Sequence, residues 1–591
     1  MKKRLFPSLF PVFIVIFNGT AAFAQDLDFE AMRQATDVKI SGAVSANMVF
    51  YNSNERSSRE PFTYFLQGGL NFSWLTFSMP VSYSFTNQGN ELDYKVPYNF
   101  NRLSIHPKYK WITAHIGDVA MTYSPYTLNG YQFTGAGLDL TPSSFPLKFS
   151  MMGGRLLKAV QPDEVHPEAL PSFKRMGYGT KIGWEKEKYK IELIGFYAKD
   201  DVNSLSEVPD DKGVTPEENL VVSLAGEVRL AQNLKLSAEY ASSALTQDTR
   251  AERSSQRKGL AGLFFGNVRT GTEYYSAYKA AMEFQVEKMQ WGVGYERIDP
   301  GYQTLGAYYF NNDLENITLN GSRPFFNNKL NLSFNVGYQR DNLNNEKEQK
   351  TKRVVGAVNA ALQLTQKINI TGSYSNFSTY TNRRMNQFDE INNYYDPQQQ
   401  YEQTFKYEQL SQNANVAVSW NIFANDKISH DLNTNYSLAT SANRTDDVIR
   451  IGQASEFHNA GLTYSLNLPK SSLNISTGVN YTYAYAARNI SRTWGPSINI
   501  SKRFLDNTLN ATLGASYNTS QDDGSSASTN ATNLRVGANY TLLKRHNFNL
   551  NAVQLFRNAT GLNSLSELTI TFGYNYSFDV GSPKENKKSK P

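Results

Sequence analysis

Leu568-Thr569-Ile570-Thr571-Phe572-Gly573-Tyr574-Asn575-Tyr576-Ser577-Phe578 is the stretch whose reading decides the fold. Successive side chains of an extended strand point to opposite faces. Leu568, Ile570, Phe572, Tyr574, Tyr576 and Phe578 therefore share one face, and Thr569, Thr571, Gly573, Asn575 and Ser577 share the other. The same period of two returns in Leu509-Asn510-Ala511-Thr512-Leu513-Gly514-Ala515-Ser516-Tyr517 and in Leu330-Asn331-Leu332-Ser333-Phe334-Asn335-Val336-Gly337-Tyr338. Segments of about nine to eleven residues have the length with which a tilted strand crosses a bilayer. A soluble sandwich alternates as well, so the connections must decide.

Tight turns are expected at Ser73-Trp74, His106-Pro107-Lys108, Pro142-Ser143-Ser144, Glu185-Lys186-Glu187, Gln232-Asn233 and Glu287-Lys288. They continue at Asn327-Asn328, Gln366-Lys367, Asn425-Asp426-Lys427, Pro469-Lys470, Leu505-Asp506-Asn507 and Lys544-Arg545-His546. Between successive tight turns lie one strand, a longer polar loop and another strand. Transmembrane barrels alternate in this way because their periplasmic turns are short and their external loops long. The pattern predicts an all-β, antiparallel transmembrane barrel over residues 37–580, with about 26 strands (a range of about 22–28) and both termini in the periplasm. Trp74, Trp111, Trp184, Trp291 and Trp420 fall close to tight turns, and Trp494 lies near the other end of its strand. Indole rings favour the membrane–water boundary, so these five are expected to form a periplasmic aromatic girdle.

The first residues indicate export. Lys2, Lys3 and Arg4 precede an apolar run from Leu5 to Phe17, and Ala22-Phe23-Ala24 supplies a small-x-small cleavage pattern. Residues 1–24 read as a signal peptide, 25–36 as a short periplasmic segment and 581–591 as a basic periplasmic tail. The chain has no cysteine, which excludes a lipoprotein anchor, disulfides and thiolate metal sites. Aromatics at 13% beside a mean hydropathy of −0.50 suit a wall that is apolar outside and wet inside. The whole chain carries 59 cations and 53 anions. Loss of Lys2, Lys3 and Arg4 leaves a near-neutral protein in which nucleic acid is not an expected partner.

A circular wall of this strand number has a diameter of roughly 50 Å, so something must occlude it. Asp26 to Thr36 is too short for the plug of a TonB-dependent transporter. External loops, a flattened section or a partner chain must then fill the bore. The segments Leu156–Phe173, Asp200–Glu218, Ser242–Gly271 and Thr379–Glu402 are long enough to fold inward. Strand parity sets Arg102, His115, Glu227, Arg229, Lys235, Glu239, Lys279, Glu283 and Glu296 toward the lumen, opposite apolar neighbours. Mixed charges of this kind form a structural network around water unless they share one height. The six histidines look scattered, with no acid–base cluster beside a serine, so neither catalysis nor a metal or other cofactor is expected.

Tyr109-Lys110-Trp111, His115-Ile116-Gly117, Ser124-Pro125-Tyr126-Thr127-Leu128 and Gly135-Ala136-Gly137-Leu138 resemble the N-terminal part of large outer-membrane barrels of Bacteroidota whose activities are uncharacterised. The resemblance spans about fifty residues and implies a fold and a location in a Gram-negative envelope, with no activity attached. The expected function is a porin-like channel or transport component of the outer membrane, occluded by its loops or by a partner. The alternative is the barrel subunit of a surface-protein secretion or envelope-assembly complex, and an outer-membrane enzyme is the least supported reading. Expected partners are outer-membrane lipid, the barrel-assembly machinery during biogenesis, and a plug or lipoprotein.

Overall fold

The computed structural model describes residues 38–580 except 56–58, 88–94, 167–168, 309–310, 347–351, 377–406, 446–447, 450–454, 487–488, 524–527 and 562. The expected signal peptide, the segment 25–36 and the tail 581–591 lie outside the described residues.

Twenty-eight paired segments build a wall of 26 strands. Arg102–Ile105 and Lys108–Tyr109 are two pieces of one strand, since both pair with Phe77–Thr86. Val448–Ile449 pairs antiparallel with the end of Ser429–Thr445, on the same side as Ser455–Leu468, and counts with that returning strand. Every pairing is antiparallel and joins strands that follow one another along the chain. The first strand, β1 (Lys39–Ser53), then pairs with the last, Leu565–Val580, from Ile40↔Val580 to Ser53↔Glu567. The wall is closed. The expected all-β barrel and its strand number are what the structure shows; among the described residues, one short α-helix, α1 (Gly259–Phe264), and three single-turn 3-10 helices depart from pure β. No helix among the described residues is long and apolar enough to cross a membrane.

The short turns sit within a residue or two of their expected places, and two differences have clear causes. Trp74 does not turn but pairs with Phe77, and Leu75 takes the left-handed conformation at φ 52°. Two-residue hairpins need a positive φ to match the right-handed twist of their strands. Glu287 adopts the same conformation at φ 49°. The turn expected at His106-Pro107-Lys108 is instead the break inside the split strand. Proline cannot donate to a ladder, so Pro107 interrupts the pairing without reversing the chain. The reversal comes at Lys110-Trp111, with Lys110 at φ 53°.

One face of the wall presents exposed apolar side chains, among them Leu193, Leu224, Tyr240, Met282, Val293 and Leu319. Leu193, Leu224 and Tyr240 are direct register partners, so the apolar face runs unbroken around neighbouring strands. The opposite face carries the polar and charged residues. Loops from hairpins far apart in the wall meet on that polar face, which is possible only through the interior. The polar face is thus the inner one.

A charge placed on the outer face must sit in hydrocarbon, whereas one placed inside finds water and carboxylates. Leu224→Arg is expected to destabilise the folded barrel in lipid by about 2–4 kcal/mol. Ala225→Arg, opposite Glu239 on the inner face, is expected to be tolerated. Denaturant titration of both variants in vesicles checks the contrast, and equal losses would contradict this assignment of the faces.

Candidate functional site, the barrel lumen

The expected lumenal charges separate into four places. Lys235 bonds Glu283 at 2.8 Å and lies 4.0 Å from Glu227, which is 4.0 Å from Arg229. Glu239, Lys279 and Glu296 stand opposite one another on three consecutive strands. Arg102 is elsewhere, its Nε donating to the Asn99 carbonyl at 3.2 Å. His115 belongs to a cluster that the sequence reading did not find. Its Nδ1 meets His106 Nδ1 at 2.8 Å, and its Nε2 meets Asp139 at 2.8 Å. His106 Nε2 reaches the Ser104 hydroxyl at 3.1 Å, and Ser150 donates to Asp139. Only the break at Pro107 keeps His106 in the wall, where it faces His115 rather than projecting from a turn. All four ring nitrogens are engaged by wall groups, so no nitrogen is left over to activate a substrate. No group of three or more His, Cys, Asp or Glu suited to a metal ion occurs among the described residues.

Two loops outside the four segments expected to fold inward fill part of the bore. Ser124-Pro125-Tyr126-Thr127-Leu128 connects Ile112–Thr122 to Asn129–Leu140, and residues 299–313 connect Met289–Ile298 to Leu314–Phe325. Tyr302 Oη donates to the Tyr126 carbonyl at 2.8 Å, and Thr304 Oγ1 donates to the Thr127 carbonyl at 2.8 Å. The Asn129 amide donates to the Gly306 carbonyl at 2.9 Å. Tyr131 and Tyr308 stack with ring centroids 4.2 Å apart. Asn219 on the wall ties the second loop down. Its Oδ1 accepts from the Leu305 amide at 3.1 Å, while its Nδ2 donates to Ser243 and to the Ala244 carbonyl at 2.9 and 3.0 Å. Val119, Met121, Phe133, Ile194, Phe196 and Leu305 form an apolar core beneath the junction, on the inner side of the wall. Tyr126 donates to Glu296, one of the expected lumenal charges. Burial, helped by that carboxylate, pushes the Tyr126 phenol far above its ordinary range, and burial does the same to Tyr302. Both remain neutral donors at any physiological pH.

The short loop was missed because its five residues look like a plain connection. Its signal was present in two apolar side chains, Tyr126 and Leu128, at the very tip of an otherwise polar end of the barrel. Of the longer candidates, Thr379–Glu402 lies outside the described residues. Residues 247–271 fold the other way, onto the outer face, because Ala261, Phe265 and Val268 pack there with Tyr197, Leu220 and Tyr274. Arg250 ties this loop to residues 202–217, contacting Asp210 at 2.6 Å and Asp248 at 2.7 Å.

The wall from Leu314–Phe325 to Ser528–Leu542 is lined differently. Ser322, Ser333, Asn359, Ser373, Asn415 and Ser437 are successive register partners across six strands of the inner face. Asn459, Thr482, Thr493, Ser520 and Thr529 continue the row without a break. Every member is a neutral hydroxyl or amide. A hollow of about 460 Å³ lies over the first five, with Arg323 at its edge. Trp184, Trp291 and Trp420 are exposed on the outer face near short turns, Trp111 is exposed within one, and Trp74 closes another.

No protein-family model matches the chain, and no curated protein matches it. Among solved structures, the translocation pore of the P pilus usher is similar at 10% identity and a TM-score of 0.38, covering 91% of this chain and 99% of that one. The FrpB iron transporter of Neisseria meningitidis (F3-3 variant) is similar at 12% identity and a TM-score of 0.34, covering 93% and 83%. OccK3 of Pseudomonas aeruginosa is similar at 9% identity and a TM-score of 0.30, covering 91% and 96%.

Asn219→Ala strips the anchor of the second loop and leaves the Leu305 amide unpaired, at about 1–3 kcal/mol. Faster hydrogen exchange at residues 299–308, with the wall unchanged, is the expected result. The Arg250 clasp has its own pH dependence. Hydrogen bonds from Arg250 hold the Asp210 and Asp248 carboxyls below the usual range. A depressed carboxylate contributes stability above its unfolded pKa of about 3.9 and loses it as pH falls through the lower folded value. The hydrogen-exchange protection factors of residues 202–217, corrected for the intrinsic pH dependence of exchange, are therefore expected to stay constant above about pH 5 and to fall only in stronger acid, a step that Arg250→Gln abolishes.

Proposed function

We propose that this protein is an outer-membrane channel whose bore is half filled by its own loops and whose passage follows the neutral wall. The observation that carries the reading is the division of the lumen. The nine expected charges and both inward loops occupy one arc, and an unbroken row of Ser, Asn and Thr crosses eleven strands of the wall beyond it, where Asp431 and Arg535 also face inward. In this reading the nine lumenal charges hold the loop-filled arc together and do not form a selectivity ring. Hydroxyls and amides exchange hydrogen bonds with water or a polar solute at little cost, and they offer no fixed charge to retain an ion. The favoured cargo is a neutral polar solute.

The setting follows from barrel physics. An apolar exterior and a closed backbone ladder fit a bilayer, where no backbone group can be left unpaired. Short turns, both chain ends and the tryptophan girdle belong on the periplasmic side, and the long loops outside. Outer-membrane lipid is the constant partner, and the barrel-assembly machinery acts during insertion.

Planar-bilayer recording tests the channel. Purified protein is expected to give discrete conductance steps with weak ion selectivity. Gly306 sits where an added Cβ would meet the Thr127 carbonyl at 2.7 Å and the Phe196 ring at 2.8 Å. Gly306→Val should therefore pry the two loops apart and enlarge the steps. A folded protein that is silent in both forms would overturn the reading.

A further inference from the structure

Residues 247–271 form a flap on the outside of the barrel. Helix α1 lies against the outer face through Ala261, whose amide donates to Ser242 at 3.2 Å, while Tyr274 donates to the Gln256 carbonyl at 3.0 Å. Asn267 donates to Glu218 at 2.9 Å. Glu218 is 1% exposed and is further held by Tyr197 at 2.7 Å and Lys199 at 3.0 Å. The flap is therefore a built part of the wall, fixed by a buried carboxylate.

Its exposed surface is polar and charged except for two large apolar side chains. Leu263 and Phe264 are 69% and 66% exposed and point away from the barrel, beside Arg257 and Lys258. Residues 247–271 hold five cations and two anions, and two of those charges, Arg250 and Asp248, are spent on the clasp. The height of the flap decides what it faces. The outer face below it carries Leu236 and Tyr240, and from Leu234 to Ser242 the strand climbs roughly 20 Å at the usual spacing and tilt. The apolar belt of such barrels is about 25 Å tall. The flap thus rests at the upper edge of the belt, where acyl chains give way to headgroups.

We infer that Leu263 and Phe264 dip into the outer leaflet while Arg257 and Lys258 bind the phosphate groups of its lipids. Two observations support lipid as the occupant. The patch is continuous with the lipid-facing wall, and its cations complement anionic headgroups. Apolar side chains with adjacent Lys and Arg are the composition of an interfacial anchor. The anchor goes beyond transport, because it operates whether or not the bore conducts.

The chain has no cysteine, so single labels are clean. A nitroxide at Leu263→Cys, in full-length protein reconstituted into phosphatidylcholine vesicles with and without phosphatidylglycerol, should be accessible to oxygen and shielded from an aqueous nickel chelate. A label at Ser255→Cys should show the reverse. Adding Arg257→Gln and Lys258→Gln should make the Leu263 label shallower in the anionic vesicles only. A Leu263 label as open to the chelate as that at Ser255 overturns the anchor. A label exposed in vesicles yet buried in native membranes overturns it in favour of a protein partner. Depth indifferent to both the two cations and the anionic lipid overturns the phosphate contact. Unheated electrophoretic mobility confirms that each variant is folded.

Discussion

Hydrocarbon offers backbone amides and carbonyls no partner, and every other feature of this protein follows from meeting that constraint. Closure between Lys39–Ser53 and Leu565–Val580 removes the two free edges that a sheet of this size would otherwise expose. Once the wall is closed, side-chain alternation has only one outcome. Apolar residues go to lipid, polar residues go inside, and a single slip of register would exchange them along a whole strand. The glycines of the N-terminal strands serve the same ladder. Gly117, at φ 103°, has no room for a Cβ against the Leu103 carbonyl, which lets the split strand stay hydrogen-bonded beside its Pro107 break.

The strands near Ser242 show how far the two faces can diverge. Ala241 and Ala244, three residues apart, are both fully buried, but under different covers. Ala241 packs with Tyr126 and Tyr302 of the inward loops, and Ala244 packs with Ala261 and Phe265 of the outer flap. A sheet of one residue's thickness is here the middle layer of three. Its inner cover is joined by carbonyl hydrogen bonds between loops, and its outer cover by packing around Glu218.

The fold was readable because it rests on local, repeated signals: a period of two and an alternation of turn lengths. Strand number followed from those alone. The lumen was less legible, since a loop's destination depends on which surface its few apolar residues find after the wall exists. Residues 247–271 carry the apolar run Leu260-Ala261-Gly262-Leu263-Phe264-Phe265, and that run took them outward to Tyr197 and Tyr274 rather than inward. The inward role fell to Tyr126 and Leu128, too few to register as a pattern. His106 and His115 were read as unrelated because Pro107 looked like a reversal. A proline that breaks a strand and one that turns it have the same sequence signature here, and only the positive φ at Lys110 distinguishes them.

Among the described residues the filling is one-sided, and this makes the wall mechanically uneven. From Ile112 to Leu314 the inner surface is braced by the Tyr126–Tyr302 junction and the Asn219 anchor, so that arc resists bending. Among the described residues, the buried members of the apolar clusters all lie outside the arc bearing the Ser322-to-Thr529 row, whose own ladder sets its curvature. Pressure from a body inside the bore would be borne unequally. The braced arc would act as an anvil, and the cross-section would change by flexing of the neutral arc.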